Sequence, residues 1–569
     1  MENTVQQNEP LISITKTKGG FRTLPFIIAN QAFEKMSSYG IMLNMVLYFT
    51  RHYGMHAAKA TNIILLWSAA SYFTPVLGAF LADSYFGRFT VIAFGSFLTS
   101  LGMLLFWLTA IIPNLSPCDQ LTMICNSPTT SQLAFLYFSL CLMSIGAGGV
   151  RASSLAFGVD QLNKKERDEG IVERYFNWSF ALTGVAVLFG MTVLAYIQEN
   201  FGWIVGFGVP VVLMFISMLS FFLASSLYVK VEPKGNVITE CARVVVASYR
   251  NRNLDLPSPI ISNDGVSYYE KDSEMLMPSN KLRFLNKACL RQNQQQDLTQ
   301  DGRLKNQWSL CTIDQVEAFK SMIKIIPIWI TGMIMSINFS QGTFSVLEAS
   351  IMNRRITSNF EIPAASMSTF LVLSSVFMLI LYDRVIVPSA SKLRRSPTRL
   401  RVKQKMGIGL IATCLSASSL AIVESKRRKM AIDEGFTDFP QGVVKMSVMW
   451  LLPRQIFDGF AEAFNGVGQN EFYICELPQS MSSIASTLSG LGLSCASVLA
   501  SLILSVVESV TKGEGKESWV SSNINKGHYD YYYWIVFGLM LVNFMGYVYL
   551  SKAYGPCKGE ENDGVEEGN

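Results

Sequence analysis

Charge is what this sequence most lacks. Asp, Glu, Lys and Arg make up 16% of its 569 residues, and histidine occurs three times. Soluble domains carry about 25% charged residues, so a chain this long and this poor in charge points away from water as its only solvent. Its ten cysteines are scattered, with no Cys-x-x-Cys pair and no Cys/His spacing suited to zinc. No metal site is expected. Gly-x-Ser-x-Gly, His-Glu-x-x-His and the phosphate-loop pattern are all missing, which sets catalysis aside. The N-terminus is polar and has no short apolar run with a cleavage site, so no signal peptide is expected and the first apolar window directs insertion. Neither a resident cofactor nor a nucleic-acid partner is expected.

What is present is lipid-compatible. Half the residues are hydrophobic, 12% are aromatic, and the mean hydropathy is +0.29. A hydrocarbon core of about 30 Å needs windows of about 20 apolar residues. Twelve occur: 26–49, 61–82, 90–112, 132–159, 176–197, 203–227, 321–347, 363–387, 406–423, 442–471, 482–508 and 530–551. The fold expected is an all-α membrane protein of twelve transmembrane helices, with the lipid bilayer as its first partner. A polar stretch, too long for an ordinary loop, divides the windows six and six. The boundaries read are a tail over 1–22, a first bundle over 23–229, a connector over 230–312, a second bundle over 313–552 and a tail over 553–569. Within the connector, Lys281 to Leu290 alternates charge and bulk, as a solvated strand of chain or a headgroup-surface segment would.

Basic residues set the orientation. The connector, the 163–174 loop (Lys164, Lys165, Arg167, Arg174) and the 389–405 loop (from Lys392 to Lys405) fall on one side if spans alternate. That side, with both termini, is read as cytoplasmic. Lys426 to Lys429 disagrees, a basic run assigned to an outward loop. Cys118 and Cys125 fall in another outward loop, where an oxidising compartment could join them, and Asn114 begins a formal glycosylation acceptor.

Charges inside apolar windows mark function. Glu34 and Lys35 lie about a dozen Å along the first span from Pro25, at about 1.5 Å per residue. Gln31, Glu34 and Lys35 share one face. Arg151 lies deep in the fourth span on a polar stripe with Ser144 and Gly148, and it is the natural partner for Glu34. Thr331, Asn338, Gln341, Ser345 and Glu348 form a polar face on the seventh span. Such a face lines a wet cavity or, alternatively, a hydrogen-bonded helix seam. Glu462 and Gln469 lie seven apart on the tenth. Gly78-Ala-Phe-Leu-Ala-Asp83 followed by Gly87-Arg88 reads as a turn clasped by opposite charges.

In that position the clasp resembles the loop between spans two and three of the major facilitator superfamily. The resemblance sharpens to the plant branch of the nitrate transporter/peptide transporter (proton-coupled oligopeptide transporter) family. It is carried by Gln31 to Lys35, Gly148-Gly149-Val-Arg151, Phe157-Gly-Val-Asp160-Gln161, Tyr175-Phe-Asn177-Trp178, Trp308 to Glu317, Phe360 to Ser366, Tyr382-Asp-Arg384 and Gly459 to Gln469. It implies two six-helix bundles around a cavity open to either side in turn. The clasp, Asp83 with Arg88, then gates the change of state.

The same resemblance makes Arg151 the counterpart of the family's cavity lysine and turns Glu462 toward the cavity. The implied substrate cavity is Lys35, Tyr39, Arg151, Asn177, Asn338, Gln341, Ser345 and Glu462. Gln31 and Glu34 stand where the family couples protons, the one co-substrate implied. Gln31 is an amide and cannot titrate. Ser38 and Met42 replace a tyrosine and an arginine of the peptide-carrying pattern, which disfavours peptides.

Lys35 and Arg151 leave the first half of the cavity net positive, which suits a small anionic substrate. Nitrate, at low affinity, is the first candidate. A carboxylated hormone or secondary metabolite (gibberellin, abscisic acid, glucosinolate) is the alternative, and a non-transporting receptor is the alternative of another class. The buried histidine of some nitrate carriers is replaced at the comparable place by Phe339. The plasma membrane is the expected location, the vacuolar membrane the alternative.

Overall fold

The computed structural model describes residues 19–117, 127–162, 169–233, 237–254, 267–269, 277–291, 308–395, 399–513 and 517–557. Cys118, Cys125 and the polar tract after Arg291 lie outside them. Ten helices among the described residues are long and apolar enough to cross a membrane. They are span two (Ala57–Phe86), three (Arg88–Ile111), four (Thr130–Asp160), five (Gly170–Asn200), six (Gly202–Ser226), seven (Ile313–Ser350), eight (Ala364–Arg394), nine (Val402–Asp433), eleven (Ser482–Thr511) and twelve (Tyr529–Tyr554). Span one is Leu24–Arg51, and span ten is Leu452–Ala461 continued through a π turn into Val467–Glu476. These two are of spanning length but interrupted by charge. They stand at the two remaining windows of the expected twelve, and span ten carries the charged groups that line the central cavity.

Span four packs on spans two and three, and span one on five and six; in the second half span nine packs on ten and twelve, and seven on eleven and twelve. Glycine permits the tightest of these contacts. A Cβ at Gly146 would come within 2.3 Å of the Thr99 nitrogen, and one at Gly148 within 2.5 Å of Thr74. Pro210 removes a helical N–H in span six. The Gly206 carbonyl it would have served instead accepts from Gln198 Nε2 at 3.4 Å.

The two halves meet through spans two and eleven. Hydrogen bonds joining them run from mid-depth, where Ser494 Oγ donates to the Ala69 carbonyl at 2.8 Å, toward the side opposite the connector. There Asn62 bonds Ser501 and Ser505, Ser366 Oγ donates to the Met191 carbonyl, and His56 meets Ser522. These contacts latch the two halves together on that far side.

Three expectations need correction. The window 442–471 is not all helix: Val444–Ser447 pairs in parallel with Met352–Asn353, and the helix starts at Leu452. The run Lys426 to Lys429 is not a loop, because span nine continues to Asp433 and buries Arg427. Lys281 to Leu290 is exposed only over its first four residues, Lys281 to Phe284, and the rest is packed. Leu285, Ala288 and Cys289 pack with Val244 and Ala247 of the connector helix Val237–Arg250 against Ile313 and Val316, at the foot of span seven.

Candidate functional site

Glu34 is completely buried in the wall between spans one and four. Arg151 clasps it side-on, donating from Nε to Oε2 at 3.0 Å and from Nη2 to Oε1 at 2.8 Å. Ser38 Oγ, one turn along, donates to Oε1 at 2.8 Å. A carboxylate removed from water survives as an ion only with such partners. Arg151 keeps 19% of its side-chain exposure. That exposure opens on a small recess lined by Ser38, Tyr39, Ser68, Ser71 and Tyr72. Lys35 is half-buried and makes no hydrogen bond or ion pair among the described residues. Gln31 is buried and accepts a long contact, 3.4 Å, from Ser179 Oγ. The sequence thus paired Glu34 with the correct cation.

The recess adjoins a central cavity of about 470 Å³. Much of its wall is apolar, with Met42, Ile64, Phe339, Val346 and Leu371 among the contributors; Tyr39 and Tyr72 belong to both spaces. Among the described residues its charged groups come from span ten alone: Arg454, Asp458 and Glu462, four residues apart on one face. Glu462 begins the π turn Glu462–Gly466, the kind of widened helical turn that frequently marks a functional position. Its side chain is exposed within the cavity and has no hydrogen-bond or ion-pair partner among the described residues. Asp458, by contrast, is fully engaged, accepting from Asn338 Nδ2 at 2.8 Å and Ser416 Oγ at 2.5 Å, with Arg454 Nε at 3.4 Å from its other oxygen. The two spaces are therefore polarised: Arg151 of the first half lines the recess, with Glu34 buried behind it, and the second half lines the cavity with one cation and two carboxylates.

The polar face of span seven does not line this cavity. Asn338 turns to spans nine and ten, Gln341 Nε2 folds back on the Ile337 carbonyl at 3.1 Å, Ser345 is buried, and Glu348 bonds Tyr533 of span twelve. The stripe is a helix seam, and the face that reaches the cavity bears Ser336, Phe339, Ser340 and Thr343. Asn177 is exposed and also absent from the lining. Gln469 is held between Asn465 and Tyr473, tight against Gly332. Sequence reasoning missed Tyr72, Arg454 and Asp458. The last two were open to the argument that found Glu34, being charges at helical spacing inside an apolar window.

Two polar clusters lie beyond the cavity. On the connector side Arg88 bridges Asp83, Nε to Oδ1 at 3.2 Å, and Asp160 at the end of span four, Nη1 to Oδ2 at 2.8 Å. Gly87 turns the chain there at φ +77°, a left-handed conformation that a side chain would strain. On the far side Glu199 at the end of span five takes Arg354 and the Ala364 N–H from the second half. Next to it Arg355 hydrogen-bonds Glu361 at 2.8 Å and holds that carboxyl below its ordinary range.

Residues 89–520 match the model described as the POT family. The chain is 50% identical to Protein NRT1/PTR FAMILY 1.2 of Arabidopsis thaliana over 97% of its length and 92% of that protein's. It is 47% identical to Protein NRT1/PTR FAMILY 1.1 of the same plant over 99% and 98%. Among solved structures it resembles that of the POT family transporter PepTSo, with a TM-score of 0.68 and 17% identity over 94% of this chain and 98% of that one. A POT family transporter in complex with 5-aminolevulinic acid gives a TM-score of 0.59 at 13% identity, covering 94% and 98%.

Proposed function

The chain belongs to the POT family, in its NRT1/PTR branch, and from that premise we propose that it carries a small organic anion across a cell membrane by alternating access. It is a multi-pass membrane transporter and not an enzyme. The observation that supports an anion is the bidentate Arg151–Glu34 pair, its guanidinium open to the recess, with Lys35 unpaired one residue from Glu34. An anion entering the recess competes with Glu34 for Arg151. The carboxylate is then left to take a proton or to stay paired, so cargo binding and the state of span one become coupled.

A cavity of about 470 Å³ with a largely apolar wall favours a carboxylate on an organic frame, the hormone or metabolite class, over a bare inorganic ion. A second reading, nitrate, is supported by the recess itself, where Arg151 and three serines line, beside Met42, Trp67, Met143 and Ala147, a space too small for a large solute. We place the connector in the cytoplasm and the protein in the plasma membrane. A negative interior opposes entry of an anion by about 2.3 kcal/mol per charge per 100 mV. Inward accumulation therefore needs protons as co-substrate, with Glu34 the carboxylate that would carry them in the first half, while Gln31 cannot.

Uptake of nitrate, abscisate, gibberellin and a dipeptide in oocytes tests this reading. Accumulation of an anion above water-injected controls is the result expected. Accumulation of the dipeptide alone overturns the anion assignment, and saturable binding of an anion without accumulation establishes the receptor.

A further inference from the structure

Arg454 begins span ten at the latched, far-side end of the cavity, and the cavity touches it. Only 2% of it is exposed. Among the described residues its Nε and Nη1 have no hydrogen-bond partner, and Nη2 has one long contact, 3.5 Å, with the Asn338 carbonyl. Asp458 balances its charge at 3.4 Å without satisfying its donors. A guanidinium carries five N–H groups in a rigid plane. Burying such a group with most donors empty costs free energy that an acceptor would recover.

Of the acceptors nearby, Asn338 Oδ1 makes no hydrogen bond to Arg454 and has no partner among the described residues. Asp458 is committed to Asn338 and Ser416 through Oδ1. Glu462 lies two turns along the same helix. Glu348 of span seven feels the charge of Arg454, and its Oε2 also lacks a partner, but the two make no ion pair. Asn338, held by Ser416 and Asp458, fixes the group from behind. Nε faces Asp458 Oδ2 at 3.4 Å, and Nη1 is the part of the guanidinium left with no acceptor among the described residues.

We infer that Arg454 is a second anion seat, taking a planar oxyanion, carboxylate or nitrate, on its Nη1 edge at the closed end of the cavity. The seat lies in the second half, across the cavity from Arg151. Asp458 and Asn338 are positioning residues that orient the guanidinium, and Glu348 is the internal carboxylate that competes with cargo for it. The inference rests on the transport reading only in taking the cargo to be an anion. Binding measured on purified protein therefore tests it even where uptake fails.

The experiment is the thermal shift and binding constant of purified full-length protein with sodium nitrate, sodium abscisate and abscisic acid methyl ester, against sodium chloride at equal ionic strength. Wild type should bind at least one of the two planar oxyanions and bind the neutral ester less well. Arg454→Gln should weaken that anion about tenfold or more, the loss of a charge-assisted bidentate contact. Arg454→Lys should recover part of it, and Glu348→Gln should tighten binding by removing the competitor. Melting without ligand reports whether each variant folds. Should Arg454→Gln unfold, Glu348→Gln carries the test alone. An Arg454→Gln protein that folds and binds the anion as wild type does, Glu348→Gln leaving affinity unchanged, or a wild type that binds neither oxyanion would each overturn the inference.

Discussion

Replacing Arg151 by alanine isolates the energetics of the site. The substitution strips Glu34 of two charge-assisted hydrogen bonds, at 3.0 and 2.8 Å, and leaves only Ser38 on Oε1. Glu34 has no exposure at all, so water cannot replace the guanidinium without entering the wall. Breaking a buried pair from one side costs about 3–5 kcal/mol. Because Arg151 is 19% exposed to the recess, some water can follow, and the lower end, about 3 kcal/mol, is expected.

Arg151→Lys keeps the charge but offers a point donor where a planar fork fitted. It should lose one bond to a charged group, about 1.5–3 kcal/mol, and retain some uptake. The double variant Glu34→Gln/Arg151→Gln removes both charges and should recover melting temperature without recovering uptake. The assay is a fluorescence-monitored melt in detergent beside uptake of the anion in proteoliposomes. Wild-type stability and uptake in Arg151→Ala would refute the reasoning. Recovery of both stability and uptake in the double variant would show that the pair merely holds helices together.

Asp83→Ala and Asp160→Ala should each cost under about 1 kcal/mol of stability, since Arg88 and its partners are partly exposed. Both should lower the maximal rate more than they weaken cargo binding; weakened binding at an unchanged rate would contradict a role in state change. Glu199→Gln removes the carboxylate that ties Arg354 and Ala364 across the far side. A cysteine placed at Val346 should then label faster with a membrane-impermeant thiol reagent added from outside, and an unchanged labelling rate would show that Glu199 does not hold the gate. Gln31→Glu places a titratable group one turn from Glu34 and should steepen the pH dependence of uptake. A profile superimposable on wild type would exclude position 31 from coupling.

The fold was legible because lipid imposes a simple rule on sequence. Ten of the apolar windows became helices long and apolar enough to cross a membrane, and of the two that charge interrupts, span ten supplies the charged groups of the cavity. Glu34 and Arg151 were legible because an ion in an apolar span requires an opposite charge, and the family resemblance put Arg151, rather than the adjacent Lys35, across from Glu34. Asn338, Gln341 and Ser345 were misplaced because a polar helix face looks alike whether it meets water or another helix's hydroxyls. Ser416 and Asp458, the partners that settle Asn338, are far away in sequence.

The start of span ten was misread because Val444–Ser447 is apolar enough to extend the window, though its backbone bonds go to Met352–Asn353. Lys426 to Lys429 looked like a loop because the partners that allow Arg427 to be buried, Glu424 and Asn525, are invisible to a charge count. Arg454 and Asp458 were in plain view, and the rule that identified Glu34 would have selected them.

Counterflow in proteoliposomes tests alternating access most directly. Vesicles loaded with the unlabelled anion are diluted into a trace of the labelled one, with the membrane potential and pH gradient collapsed by ionophores. A carrier whose cavity opens to one side at a time should draw label inward to a transient excess over the outside concentration, lost in Arg151→Ala. Equilibration without any excess, in protein that still binds the anion, would contradict the account.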